Sequence, residues 1–128
     1  MNETRRRLES VAAAHPGLAL LVLHGSRARG DAHAGSDWDF AFLADGDVDA
    51  LQLRADLADA VGSDAIDLAD LARSSALLRS RVSHDGRLLY EATPGRYDRE
   101  RVPWVLAWLD MEPVVRRAHE AIMKGLIP

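Results

Sequence analysis

The sequence predicts an α/β fold: a small mixed β-sheet packed with helices and followed by a C-terminal helical segment. Two short runs of strand length, residues 18–23 and 36–43, alternate with segments whose apolar residues recur at helical spacing. Clusters of Pro, Gly, Ser and Asp punctuate the boundaries, and from residue 99 onward the pattern is helical with no further strand. Strands interleaved with helices in this order give one sheet covered by helices.

Residues 4–14 place Leu8, Val11 and Ala12 on one helical face, with Arg5, Arg6 and Arg7 on the solvated side, and His15-Pro16-Gly17 ends the helix. Residues 18–23 are continuously aliphatic, the pattern of a strand buried on both faces. One or two helical turns over 26–29 end at Gly30, and residues 36–43 form a second strand. Val48, Leu51, Leu57, Ala58 and Val61 give a helix over 47–61, closed by Gly62-Ser63. A third, short strand covers 65–68, a helix 71–82, and a fourth strand 87–90 follows the Asp85-Gly86 turn. Residues 99–123 are mostly helix. There Trp104, Trp108, Met111, Val115, Ala118 and Ile122 recur at alternating steps of four and three, forming one apolar stripe, and Pro113 kinks that helix or begins a new one. The stripe either covers the domain's own sheet or docks on a partner, where Trp and Met are favoured.

At 128 residues the chain reads as one domain, 1–128. A hydrophobic content of 48% beside 28% charged residues argues for a soluble globular protein and against disorder. The sequence holds no apolar run long enough to span a bilayer, and its charged first ten residues lack the apolar stretch of a signal peptide, so the expected location is cytoplasmic. With no cysteine, disulfides and thiolate metal sites are excluded, and a metal would need carboxylate or histidine ligands. Carboxylates favour magnesium or manganese. The net charge of −4 argues against direct nucleic-acid binding. Lys124 is the single lysine, so no Gly-Lys-Ser/Thr phosphate loop exists; bound phosphates would rely on backbone amides, arginine and metal.

The chemistry concentrates in Gly25-Ser26-Arg27-Ala28-Arg29-Gly30 and Ser36-Asp37-Trp38-Asp39-Phe40. Strand alternation puts Asp37 and Asp39 on one face and Trp38, Phe40 and Phe42 on the other, which is the core. Neighbouring carboxylates repel and raise each other's pKa, a penalty that a divalent cation removes. Two such ions about 3.5–4 Å apart stabilise both oxygens of an in-line phosphoryl displacement. Asp67, flanked by core-facing Ile66 and Leu68, is the candidate third carboxylate, and Asp64 is its rival. Gly25 lets backbone approach a ligand, while Ser26 is expected to cap the following turn and present its hydroxyl and nearby amides to phosphate. Arg27 and Arg29 add positive charge, one of them facing the ligand. Ser83-His84-Asp85 contains the residue types of a hydrolase triad, but consecutive residues do not converge on one atom.

Together these segments resemble the signature of the minimal nucleotidyltransferases, the MNT group of the DNA polymerase β-like nucleotidyltransferase superfamily. Residues 65–91, with Ile66-Asp67-Leu68 and Gly86-Arg87-Leu88-Leu89-Tyr90-Glu91, resemble the second half of that domain. The resemblance implies a polymerase β-like nucleotidyltransferase fold, magnesium ions at Asp37 and Asp39, and Asp67 completing the site and helping to deprotonate an acceptor hydroxyl. It also implies that Gly25 and Ser26 hold the triphosphate of ATP. Family members of this size are commonly antitoxins of a HEPN-domain ribonuclease toxin, which implies transfer of AMP to a tyrosine of that partner. His24 stands where the family usually has an apolar or aromatic residue, and Trp38 replaces an aliphatic one. Two other readings remain: an antitoxin that acts by contact alone, and nucleotide transfer to a small molecule such as an aminoglycoside, against which the expected lack of a second domain counts.

Overall fold

The computed structural model describes residues 2–125. Its sheet has the order β3-β2-β1-β4, set by the most apolar strand. β1 (Leu18–His24) lies between β2 (Trp38–Ala44) and β4 (Arg87–Glu91), antiparallel to both. Its aliphatic side chains are therefore covered on both faces, and Leu20, Leu21 and Val22 are fully buried. β3 (Ile66–Asp70) runs parallel to β2. Parallel neighbours need a crossover, which α3 (Ala50–Val61) supplies. The Asp49 carboxylate accepts from Gln52 N at 3.1 Å to start α3, and Gly62, at φ 71°, ends it.

Helices cover both faces. On one, α1 (Glu3–Ala13) and α3 pack Leu8, Ala12, Leu53 and Leu57 against Leu21, Phe40 and Phe42. On the other, α4 (Ala76–Asp85) and α5 (Arg96–Met123) bring Val82 and Tyr97, joined by Leu71, against Ala19, Leu20, Val22 and Ala41. Alternation along β2 sends Phe40 and Phe42 to the α1/α3 side and leaves Asp39 and Ala41 on the α4/α5 side. Burying Phe40 stabilises the fold by about 1.5–3 kcal/mol, and a one-residue slip of β2 would instead drive Asp39 into that core.

Several boundaries differ from expectation for local reasons. β2 begins at Trp38, not residue 36, with Trp38 N donating to Ala65 O at 2.8 Å. The segment after β3 is a turn: Ala72 N donates to the Asp70 carboxylate and Ser74 Oγ to Asp70 O, so α4 starts only after Ser75, whose Oγ accepts from Leu78 N. α5 begins three residues early because the Glu91 carboxylate accepts from Gly95 N and Tyr97 N, both at 3.0 Å, satisfying amides that a helix start leaves open. Pro113 does not begin a new helix; α5 runs unbroken through both Pro103 and Pro113. The tryptophan stripe mainly covers α4, since Trp104 joins the core and Trp108 stacks on His84 at 5.2 Å, whereas Ile122 is 52% exposed.

Candidate active site

Two strand registers assemble the acidic cluster. Asp39 lies directly opposite Asp67 across the parallel β2–β3 pair and opposite His24 across the antiparallel β1–β2 pair. Cross-strand neighbours share a face, so these three side chains stand together at the end of the sheet on the α4/α5 side. Asp37 lies just before β2, exposed, at the same end. The Asp39 carboxyl is raised above its ordinary pKa of 3.8, first by burial and also by the charges of Asp67 and Asp37, against the lowering influence of His24 and Arg29. Asp64, the rival to Asp67, sits before β3, where its carbonyl accepts from Ile66 N at 2.9 Å.

The Gly25 bend is built against this cluster. β1 ends at His24, and Gly25 turns at φ 72° and ψ −159° into the short α2 (Ser26–Arg29). A Cβ on Gly25 would collide with Oδ2 of Asp39, so the carboxylate occupies the space that only glycine leaves open. Gly25 is also the N-cap residue of α2, its carbonyl accepting from Ala28 N and Arg29 N at 3.1 Å. Ser26 is therefore the first helical residue and does not cap the turn as expected. Its amide and that of Arg27 precede the first bonds within α2, the position from which helix amides meet anions.

The two arginines of α2 part company. Arg27 lies over the Trp38 ring, 4.2 Å from its centroid, and donates to Ser36 O at 3.0 Å, on the sheet face opposite Asp39. Trp38 in turn stacks on Phe40, so it sits at the core's edge with the arginine as its lid. Arg29 remains on the Asp39 side, 3.6 Å from Asp85 and 3.4 Å from Asp31.

On the Asp39 side lies a cavity of about 240 Å³ bounded by His24, Gly25, Arg29, Asp39, Leu78, Arg81 and Asp85. A larger depression, about 470 Å³, lies between α1 and α3 and contains none of the predicted residues. Leu78, Arg81 and Asp85 escaped the sequence reading. Their spacing of three and four marks one stripe of α4, but nothing local says that the stripe overhangs Asp39. Ser83, His84 and Asp85 form no triad: Ser83 is buried with its Oγ donating to Ser80 O, while His84, stacked on Trp108, lies 3.9 Å from Asp85, which also faces Arg29.

The donor chemistry suits a hard divalent cation. Asp37, Asp39 and Asp67 are oxygen donors, and among the described residues none of them is ion-paired or hydrogen-bonded through its side chain. As placed, no three His, Asp or Glu side chains among the described residues form a ready-made ligand set. The fit therefore rests on the unshared charge around Asp39 and on the space that Gly25 keeps for it.

Residues 6–94, spanning both registers and the bend, match the family described as "Polymerase beta, Nucleotidyltransferase". The chain belongs to this nucleotidyltransferase family. Its relatives in the family include the protein adenylyltransferase MntA of Aphanizomenon flos-aquae (strain 2012/KM1/D3), 36% identical over 119 residues that cover 84% of this chain and 79% of the relative. Among solved structures it is similar to a chain in a toxin-antitoxin crystal structure with AMP-PNP, at 28% identity and a TM-score of 0.67, covering 96% of this chain and 99% of that one. It also shares its fold with a chain of the tri-AMPylated Shewanella oneidensis HEPN toxin in complex with MNT antitoxin, at 23% identity and a TM-score of 0.60, covering 98% and 97%. The nucleotidyltransferase fold expected from the motif is thus the observed one. No helix among the described residues is long and apolar enough to cross a membrane.

Proposed function

We propose that this protein is a magnesium-dependent adenylyltransferase that acts in the cytoplasm as an antitoxin, moving AMP from ATP onto a tyrosine hydroxyl of a HEPN-domain ribonuclease toxin. The observation that carries the reading is the placement of the Asp39 carboxylate, beside Asp67 in register and against Cα of Gly25. Carboxylate ligands and a triphosphate-approaching bend are then close enough for one nucleotide to meet both. The similarity to MntA and to the complexes with AMP-PNP and with a HEPN toxin supports the donor and the partner.

In this reading Asp37 and Asp39 hold the metal, with Asp67 as the third carboxylate. Bound magnesium supplies electrostatic stabilisation of charge on the phosphate oxygens. The Ser26 and Arg27 amides, which lie at the start of α2, receive phosphate oxygens, and Arg29 adds positive charge. The acceptor oxygen bonds to the α-phosphorus as the bond to pyrophosphate breaks, and Asp67, exposed at the strand edge, accepts the hydroxyl proton. Positioning on rigid strands provides much of the rate. A second reading, neutralisation by contact alone, draws on the outer face of α5, where Val102, Leu106 and Leu109 are all more than half exposed.

Intact-mass measurement of the HEPN partner after incubation with ATP separates the two. Increments of AMP that need a divalent cation and vanish with Asp39→Asn are expected. Full neutralisation of the toxin without any change in mass would overturn the enzymatic reading in favour of contact.

A further inference from the structure

We propose that Arg81, reaching from α4, is the cation that binds the β- and γ-phosphates of the nucleotide and stabilises the departing pyrophosphate. The inference deepens the nucleotidyl-transfer reading and rests on it. It follows from asking which positive charge at the Asp39 cavity is free to meet a triphosphate. Arg27 is spent on the opposite face of the sheet, over Trp38 and on Ser36 O. Arg29 lines the cavity but is shared between Asp85 and Asp31. Arg81 lines the same cavity, is exposed, and among the described residues makes neither an ion pair nor a side-chain hydrogen bond.

Its position has a local cause. Val82 is fully buried in the layer between sheet and α4, which fixes the rotation of the helix. Leu78, Arg81 and Asp85 then fall on the stripe that overhangs His24, Gly25 and Asp39. The cavity sets the Asp39 carboxylate on the sheet side and the Arg81 guanidinium on the helix side, where the one helix carboxylate, Asp85, is taken up by Arg29 at 3.6 Å. A metal-bound triphosphate needs that polarity, with its α-phosphate near the carboxylates and its outer phosphates under a cation.

In the transfer step, the acceptor oxygen forms its bond to the α-phosphorus and the electron pair of the breaking bond stays on the leaving pyrophosphate oxygen. The proton of the hydroxyl passes to a carboxylate of the cluster. The charge that grows on pyrophosphate is what a fork of guanidinium donors neutralises best, and a lysine reproduces the charge without the paired geometry.

Calorimetric titration of the purified full chain with AMP-PNP, pyrophosphate and AMP, each with magnesium, tests the assignment. Arg81→Ala is expected to weaken AMP-PNP and pyrophosphate by about tenfold or more, the size of a charge-assisted contact. AMP, which lacks the outer phosphates, should bind it as it binds the native protein, and Arg81→Lys should recover part of the loss. Equal weakening of AMP and AMP-PNP, or undiminished AMP-PNP binding by Arg81→Ala, overturns the role of Arg81. If the native chain itself binds no AMP-PNP, the nucleotidyl-transfer reading fails, and this inference falls with it.

Discussion

Replacing Gly25 by alanine puts the coupling between bend and carboxylate under direct strain. The native backbone at φ 72° and ψ −159° lies in a region almost closed to residues with a Cβ, and holding alanine there costs about 1–3 kcal/mol. The added methyl also falls on Oδ2 of Asp39, with Cγ at 3.0 Å and Cβ at 3.2 Å, so the whole side chain must swing aside. For a chain of this size each kcal/mol moves Tm by roughly 3–6 °C. A fall of about 5–15 °C is therefore expected by differential scanning calorimetry, together with a loss of AMP transfer far beyond what the stability change explains at 25 °C. A cycle with Asp39→Ala separates the two causes. In that background the overlap with Oδ2 and Cγ is gone while the tight Cβ contact at 3.2 Å and the backbone cost remain, so Gly25→Ala should cost less than in the native protein. A Gly25→Ala variant with native Tm and native transfer rate would refute the claim that this bend is shaped around Asp39.

Asp39→Asn should abolish transfer yet stabilise the metal-free protein at neutral pH. Because the folded protein holds this carboxyl above 3.8, its ionisation works against folding as pH rises through that range. The gain, read as Tm against pH, should disappear below pH 3.8, and a destabilised variant at pH 7 would contradict the burial and repulsion assigned to Asp39. Glu91 has the opposite sign: the amides of Tyr97 and Gly95 hold it below its ordinary 4.5, so its contribution is present above that pH and is lost as acid carries it through its folded value. Urea unfolding of Glu91→Gln should show a deficit at pH 7 that narrows as pH falls below 4.5, whereas a constant deficit would point to lost packing. Gly86→Ala should destabilise by about 1–3 kcal/mol, the usual cost of overpacking, because its methyl would meet Val82 O, Cγ1 of Val22 at 2.7 Å and the Tyr97 hydroxyl at 3.1 Å. Unchanged chemical denaturation would show that the β4 entry has slack.

What was legible in the sequence was whatever depends on periodicity. The aliphatic run of β1 announced a central strand, and the alternation Asp37-Trp38-Asp39-Phe40 separated the carboxylates from the core before any register was known. The same alternation around Asp67 marked it, and the parallel pairing then set it against Asp39. Illegible were features that depend on how elements are rotated or on contacts distant in sequence. The sequence put one of Arg27 and Arg29 toward the ligand without saying which, and α2 turns Arg27 toward Trp38 and Arg29 toward Asp85. Glu91 gave no hint that it would cap a helix from the end of a strand. Proline at 113 signalled a break, but packing of Tyr97 and Trp104 on the core and of Trp108 on His84 carries α5 past it. Arg81 was unmarked because its significance lies in the phase of α4 over the sheet.

The most direct test is crystallographic: anomalous scattering from crystals grown with manganese and AMP-PNP. Manganese is a close stand-in for magnesium at oxygen ligands. Anomalous peaks are expected within ligating distance of Asp37 and Asp39, with the triphosphate following the Gly25–Ser26 bend. Manganese away from these carboxylates, or a nucleotide seated elsewhere on the surface, would contradict the account.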